Sequence, residues 1–155
     1  MNGVRHGKGI EYSKNGEIEF DGLYFNGEKW NGKGKIYYDN GKLKFEGQII
    51  DGKIIKGKYY DIFGNLRFDG DFVNERKWNG KVKEIYASGK IRFEGEYLNG
   101  EKNGRGKEYY ENGNIEYEGE FLNGKRNGRG KEYNMNGEVI FEGEYLNGKR
   151  KLNIN

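Results

Sequence analysis

The sequence predicts an all-β fold: about six tandem β-hairpins, hence about twelve antiparallel strands, in one repeat domain over residues 1–155. Three observations carry that prediction. A phrase of an aromatic, an acid, Gly, any residue and two apolar residues recurs six times: Phe20-Asp21-Gly22, Phe45-Glu46-Gly47, Phe68-Asp69-Gly70, Phe93-Glu94-Gly95, Tyr117-Glu118-Gly119 and Phe141-Glu142-Gly143. Its glycines are spaced by 25, 23, 25, 24 and 24 residues, so the repeats fill the chain. Apolar residues alternate with polar ones around the phrase, and each copy carries another glycine at a fixed offset before it.

The strands follow in order. Ile18, Leu43, Leu66, Ile91, Ile115 and Val139 stand two residues before the aromatic. Tyr24, Ile49, Phe72, Tyr97, Phe121 and Tyr145 stand two after the glycine. Period-two alternation with charges between is the pattern of a half-buried strand. Tyr12, Tyr37, Tyr60, Ile85, Tyr109 and Tyr133 mark a second strand six residues earlier. Between them lie Gly16, Gly41, Gly64, Gly89, Gly113 and Gly137. In Tyr109-Tyr110-Glu111-Asn112-Gly113-Asn114-Ile115, Tyr109 and Ile115 pair if Glu111 and Asn112 form a type I turn and Gly113 takes the left-handed conformation. The repeats run approximately over 3–27, 28–52, 53–75, 76–100, 101–124 and 125–148, joined by Asn-Gly-rich loops. At ~4.8 Å per strand they make an elongated stack on the order of 55–60 Å long. One hairpin cannot bury its aromatic face, so each neighbour supplies a wall.

Local departures are visible. Trp30 and Trp78 are insertions in the second and fourth repeats, and Glu75 stands where other repeats have Gly27, Gly100, Gly124 and Gly148.

Composition narrows the function. The chain has 28 Gly, no Pro, no Cys and one His, with 33% hydrophobic, 34% charged and 15% aromatic residues. Low hydrophobicity leans toward disorder, but the aromatics and a net charge of only +3 oppose it. Without Cys there is neither a disulfide framework nor thiolate chemistry, and one His makes no multi-histidine metal site. No apolar run is long enough to span a membrane. Met1–Gly7 lacks the apolar stretch of a secretory signal. A cytoplasmic setting, with a peripheral position at a membrane or the cytoskeleton, is the expectation.

Catalytic patterns do not assemble. Gly27-Glu28-Lys29-Trp30-Asn31-Gly32-Lys33 begins like a phosphate loop, but Gly34 stands where a Ser or Thr would ligate Mg²⁺. Carboxylate pairs such as Glu94/Glu96 recur in the repeats and read as a solvated strand face. Asp69-Gly70-Asp71 is too little for a Ca²⁺ loop. Ser13, Ser88 and His6 have no sequence neighbours that would make them nucleophile or base. The mid-strand glycines read as space for aromatic rings such as Phe93 over Gly95, with a ligand groove as the alternative. No catalytic residue, metal or cofactor is therefore expected.

Charge is segregated instead. Basic residues collect where hairpins join: Lys29, Lys33, Arg76, Lys77, Lys102, Arg105, Lys125, Arg126, Arg129, Lys149 and Arg150. Hairpins stacked in register would align them as a stripe along one side, with Trp30 and Trp78 in it. Trp30, Trp78, Tyr24, Phe72, Tyr97, Phe121 and Tyr145 are the candidate partner-binding aromatics. Such a stripe suits an acidic protein or anionic lipid headgroups. Cross-strand pairing with the acids is the plainer use of the same charges. A net charge of +3 and the lack of a recognition motif argue against nucleic acid.

The stretch from Phe93 through Gly95, Tyr97, Gly100, Gly104 and Gly106 to Tyr109 resembles a MORN (membrane occupation and recognition nexus) repeat. The phrase Tyr109-Tyr110-Glu111-Asn112-Gly113-Asn114-Ile115 is similar to the variant form common in bacteria. Val82 and Ile55 depart from the pattern in the fourth and third repeats. The resemblance implies a twisted single-layer hairpin solenoid with no catalytic residues. It also implies a scaffold or protein-binding module, with anionic phospholipid binding as the alternative. A regulatory domain excised from a larger protein is a further alternative. The glycine–aromatic choline-binding repeat also uses hairpins, but carries a Trp in nearly every copy. The end repeats show no polar cap, so an edge-to-edge homodimer or a longer parent protein is expected.

Overall fold

The structure, a computed structural model, describes residues 3–151. The sequence reading of the chain ends draws partly on 1–2 and 152–155, which lie outside the described residues. Among the described residues there are thirteen β-strands and no helix. They fall into two compact units, Met1–Lys77 and Trp78–Asn155.

In the N-terminal unit β1 (Gly7–Tyr12), β2 (Ile18–Phe25), β3 (Glu28–Tyr37), β4 (Leu43–Ile50), β5 (Lys53–Tyr60) and β6 (Leu66–Val73) pair antiparallel in chain order. The next strand, β7 (Arg76–Ile85), starts at the end of this unit. In the C-terminal unit β7 is followed by β8 (Ile91–Leu98), β9 (Glu101–Tyr109), β10 (Ile115–Leu122), β11 (Lys125–Tyr133), β12 (Val139–Leu146) and the two-residue β13 (Lys149–Arg150). These too pair antiparallel in chain order. The joining segments expected as loops are strands in their own right. Asn-Gly closes strands in two residues, leaving the following basic residues to extend the sheet.

Two turn types alternate. At Asn99-Gly100 both residues have positive φ, 54° and 80°, which matches the twist of the flanking strands. Where Glu75 replaces the glycine it adopts φ 63°. The other turn is the one the sequence predicts. Gly113 N–H donates to Tyr110 O at 2.9 Å, Gly113 has φ 97°, and Tyr109 pairs with Ile115.

One expectation is corrected. Glu116 is an extra residue between the pairs Ile115↔Tyr109 and Tyr117↔Glu108. That bulge turns Ile115 to the face opposite Tyr117. The same shift occurs at Ile18, Leu43, Leu66, Ile91 and Val139. The Ile/Leu column therefore does not join the core, and Ile18, Leu66 and Val139 are exposed.

The core is aromatic and one-sided. Phe20, Tyr24, Phe45, Ile49, Phe68 and Phe72 are buried in the N-terminal unit; Val82, Phe93, Tyr117, Phe121 and Tyr145 are buried in the C-terminal one. Rings meet edge to face. Phe93 and Tyr117 each contact Phe121 at 5.3 Å, and Tyr117 contacts Tyr145 at 5.0 Å. Such pairs add about 0.5–1.5 kcal/mol each beyond burial. The facing glycines make room for the rings. A Cβ on Gly119 would lie 2.5 Å from the Tyr117 hydroxyl and 2.6 Å from Gly130 Cα.

Candidate functional site

Cross-strand register assigns each charged column to a face, because paired residues point the same way. On the aromatic face of the C-terminal unit an acid lies opposite three of the rings: Glu84 opposite Phe93, Glu108 opposite Tyr117, Glu132 opposite Phe141. A cation eighteen residues later covers the ring. Lys102 Nζ lies 4.2 Å from the Phe93 centroid, Arg126 Cζ 4.6 Å from Tyr117 and Arg150 Cζ 5.1 Å from Phe141. These cations bridge successive acids. Lys102 meets Glu108 at 2.9 Å and Glu84 at 3.9 Å; Arg126 meets Glu108 at 2.8 Å, Glu116 at 2.5 Å and Glu132 at 3.6 Å; Arg150 meets Glu132 at 2.8 Å. The result is a ladder of alternating charge lying on aromatic rings.

Electrostatics follow the geometry. Burial pushes the Glu108 carboxyl up, but Lys102 and Arg126 outweigh it and hold it below the usual range. For Glu132 the Arg150 hydrogen bond is the largest cause of a lowered value. A polar depression of about 340 Å³ opens on this ladder between Glu84, Tyr86, Arg92, Lys102, Glu108, Tyr109 and Glu116. Its charges are engaged with one another: Arg92 meets Glu84 at 2.6 Å, and Tyr86 donates its hydroxyl proton to Tyr109 O at 2.5 Å.

The N-terminal unit varies the ladder. Glu11 and Lys29 lie 3.7 Å apart, whereas Ile36 and Ile54 occupy the corresponding positions in the next repeat. In the repeat after that, Lys77 lies over Tyr59 and Phe68, 5.3 and 5.6 Å from their centroids.

On the opposite face lysines and acids alternate from strand to strand. The row Lys83, Glu94, Lys107, Glu118, Lys131, Glu142 crosses six strands of the C-terminal unit, with ion pairs at 3.7, 3.5 and 3.2 Å. Tyr109 and Tyr133 donate hydroxyl protons to Glu94 and Glu118 on the same face. In the N-terminal unit the row is Lys35, Glu46, Lys58, Asp69.

The basic candidates consequently do not form a single stripe. Lys29, Lys77, Lys102, Arg126 and Arg150 lie on the aromatic face. Lys33, Arg105 and Arg129 lie on the other, in register with Asp21, Glu120 and Glu144. Arg76, Lys125 and Lys149 open strands just past the tight turns. Strand alternation divides residues that are close in sequence between two sides. Of the aromatic candidates, Tyr24, Phe72, Phe121 and Tyr145 are buried and Tyr97 is half-buried. Trp30 and Trp78 are half-buried, with Trp30 against Phe25 at 5.2 Å.

Sequence reasoning passed over a column of exposed apolar residues just before the tight turns. Phe25, Ile50 and Val73 form it in the N-terminal unit, and Leu98, Leu122 and Leu146 in the C-terminal unit, at 38–58% exposure. The signal was present as the second apolar residue of the recurring phrase. Strand alternation sends that residue away from the core residue beside it.

Comparison with known proteins agrees with this architecture. The MORN repeat model matches residues 1–18, 93–115 and 117–139. The MORN repeat variant model matches residues 30–51 and 78–99. No curated protein gives a match. The matched segments cover about two thirds of the sequence, and all but the first span two adjacent strands and the turn between them, so the chain belongs to the MORN repeat family.

Proposed function

We propose that the chain is a non-enzymatic repeat scaffold that binds protein partners along the edge carrying its tight turns. The observation that carries this reading is the exposed column Leu98, Leu122 and Leu146, repeated at intervals of 24 residues and matched by Phe25, Ile50 and Val73. Regularly spaced apolar side chains with charged neighbours suit a protein surface, where apolar anchors supply energy and rim charges supply register. The charge rows support the same reading over anionic lipid. Their lysines are matched by carboxylates, so neither row offers a sheet of one sign.

The test captures partners from the producing cells and measures each, purified, against wild type and a Leu98→Ser/Leu122→Ser/Leu146→Ser variant. Weakening by about tenfold or more is expected. Sedimentation with phosphatidylserine vesicles addresses the lipid alternative. Binding to them that persists at roughly 0.15 M salt, with no partner sensitive to the triple substitution, would overturn the proposal.

A further inference from the structure

The six bulged turns are built alike. In each, the glycine N–H donates to the carbonyl three residues before it, at 2.8–3.0 Å. Two residues form each tip: Lys14-Asn15, Asp39-Asn40, Ile62-Phe63, Ala87-Ser88, Glu111-Asn112 and Met135-Asn136. Five tips contain a polar residue. The third is wholly apolar, and Phe63, at 73% exposure, and Ile62, at 49%, face solvent. Nothing in the turn's own geometry calls for them, since Ala87-Ser88 makes the same turn. Large apolar residues on a solvated tip break the pattern of the fold without any gain in packing.

This tip is also braced. Asp61 accepts hydrogen bonds from Phe63 N at 2.9 Å and Asn65 N at 2.8 Å, and it pairs with Arg67. From the preceding turn, Asn40 donates to Ile62 O at 3.4 Å and Lys42 Nζ to Phe63 O at 3.2 Å. Both apolar side chains thus project from a backbone that is held from two sides. Pre-organisation of this kind lowers the ordering cost of binding. The Lys42 ammonium rests on a carbonyl, with no carboxylate within 4.0 Å among the described residues.

We propose that the Ile62-Phe63 tip is an anchor that inserts into an apolar pocket of a partner protein, with a carboxylate on the pocket rim taking Lys42. Three observations select a protein over a bilayer. Two side chains present less apolar surface than one myristoyl chain, which alone holds a protein to a membrane only marginally. Asp39 lies in the adjoining turn, so the local charge is mixed. A rigid tip fits a formed pocket better than a fluid interface. This inference rests on the scaffold reading and adds a contact at the opposite ends of the strands from the Phe25, Ile50 and Val73 column.

The experiment uses the full chain with p-benzoyl-phenylalanine in place of Phe63, and a control carrying it in place of Asn112. A protein cross-linked from position 63 alone is purified and its affinity measured. Phe63→Ser puts at the second tip position the residue that Ser88 supplies in the following repeat, so the turn forms, and circular dichroism checks it. Weakening by about tenfold or more is expected for Phe63→Ser. Lys42→Glu should weaken binding too, with recovery on reversing one partner carboxylate. A partner bound equally by wild type and Phe63→Ser overturns the anchor and leaves the scaffold standing. Cross-linking of position 63 to phosphatidylcholine–phosphatidylserine vesicles, with no Phe63-dependent protein, assigns the tip to lipid and overturns it. A chain for which no captured protein binds when purified overturns both readings.

Discussion

Glu75 shows how a repeat protein tolerates one residue out of place. It adopts φ 63° in a turn whose counterparts carry glycine, and a side chain in that region costs about 1 kcal/mol or more. Glu75→Gly is expected to raise stability by about 1 kcal/mol, read as a higher urea midpoint with an unchanged slope. A lower midpoint would mean that the Glu75 side chain holds the turn in some other way. Asp61 gives a second test at this scale. Burial opposes its ionisation, but hydrogen bonds from Asn65 and Arg67 outweigh burial and bring it from 3.8 to about 2. A carboxylate depressed in the folded state stabilises above its unfolded value, and the benefit fades as pH falls through the folded one. The contribution is therefore complete above about pH 5 and lost as pH falls toward 2. The stability difference between wild type and Asp61→Asn should shrink over that window; a constant difference would sink the assignment.

Strand pairs carry the next lesson. Glu108 and Arg126 are about four-fifths buried and 2.8 Å apart. Removing one partner of such a pair strands the other, at a cost of about 3–5 kcal/mol, whereas a matched apolar pair is often neutral. Ile36 and Ile54 stand at the same two places in another repeat. Glu108→Ile and Arg126→Ile are each expected to destabilise. The double variant should recover part of the loss, with a coupling of about 1 kcal/mol or more in a denaturation cycle. Additive losses would mean that Glu116 and Glu132 retain Arg126 without Glu108. The eighteen-residue spacing could be read from the sequence, but its meaning could not. Lys102 follows Asn99-Gly100 closely enough to read as a loop cation. Only the two-residue turn, which starts β9 at Glu101, turns it onto the Phe93 ring. The aromatic rings, the strand glycines and the Gly113 turn were legible because each obeys a local rule of period or φ. The Glu116 bulge was not, because an inserted residue leaves composition unchanged while reversing the face of Ile115.

Across the whole molecule the tyrosines set the alkaline limit. Burial and the Glu46 carboxylate push Tyr60 up to about 12, and the Glu118 hydrogen bond with burial does the same for Tyr133. Burial also raises Tyr38 and Tyr117 to about 12. Phenols raised in the folded state stabilise fully below their ordinary value near 10, and that stability is lost as pH rises through about 12. Unfolding followed by circular dichroism should therefore steepen between about pH 10 and 12, alongside phenolate absorbance. Ionisation of Tyr60 and Tyr133 near pH 10 with the fold intact would contradict their hydroxyl contacts to Glu46 and Glu118. The partner surfaces were less legible than the fold, since exposure depends on which face each residue takes and charge depends on its cross-strand neighbour.

Ile36 and Ile54 also bear on how neighbouring repeats find each other. Near-identical hairpins can mispair with the wrong neighbour during folding, a hazard of tandem repeats. A hairpin bringing Ile54 against Glu11, or Lys29 against Ile36, would leave a charge facing a methyl group. Such a mismatch would make the wrong neighbour less favourable than the right one.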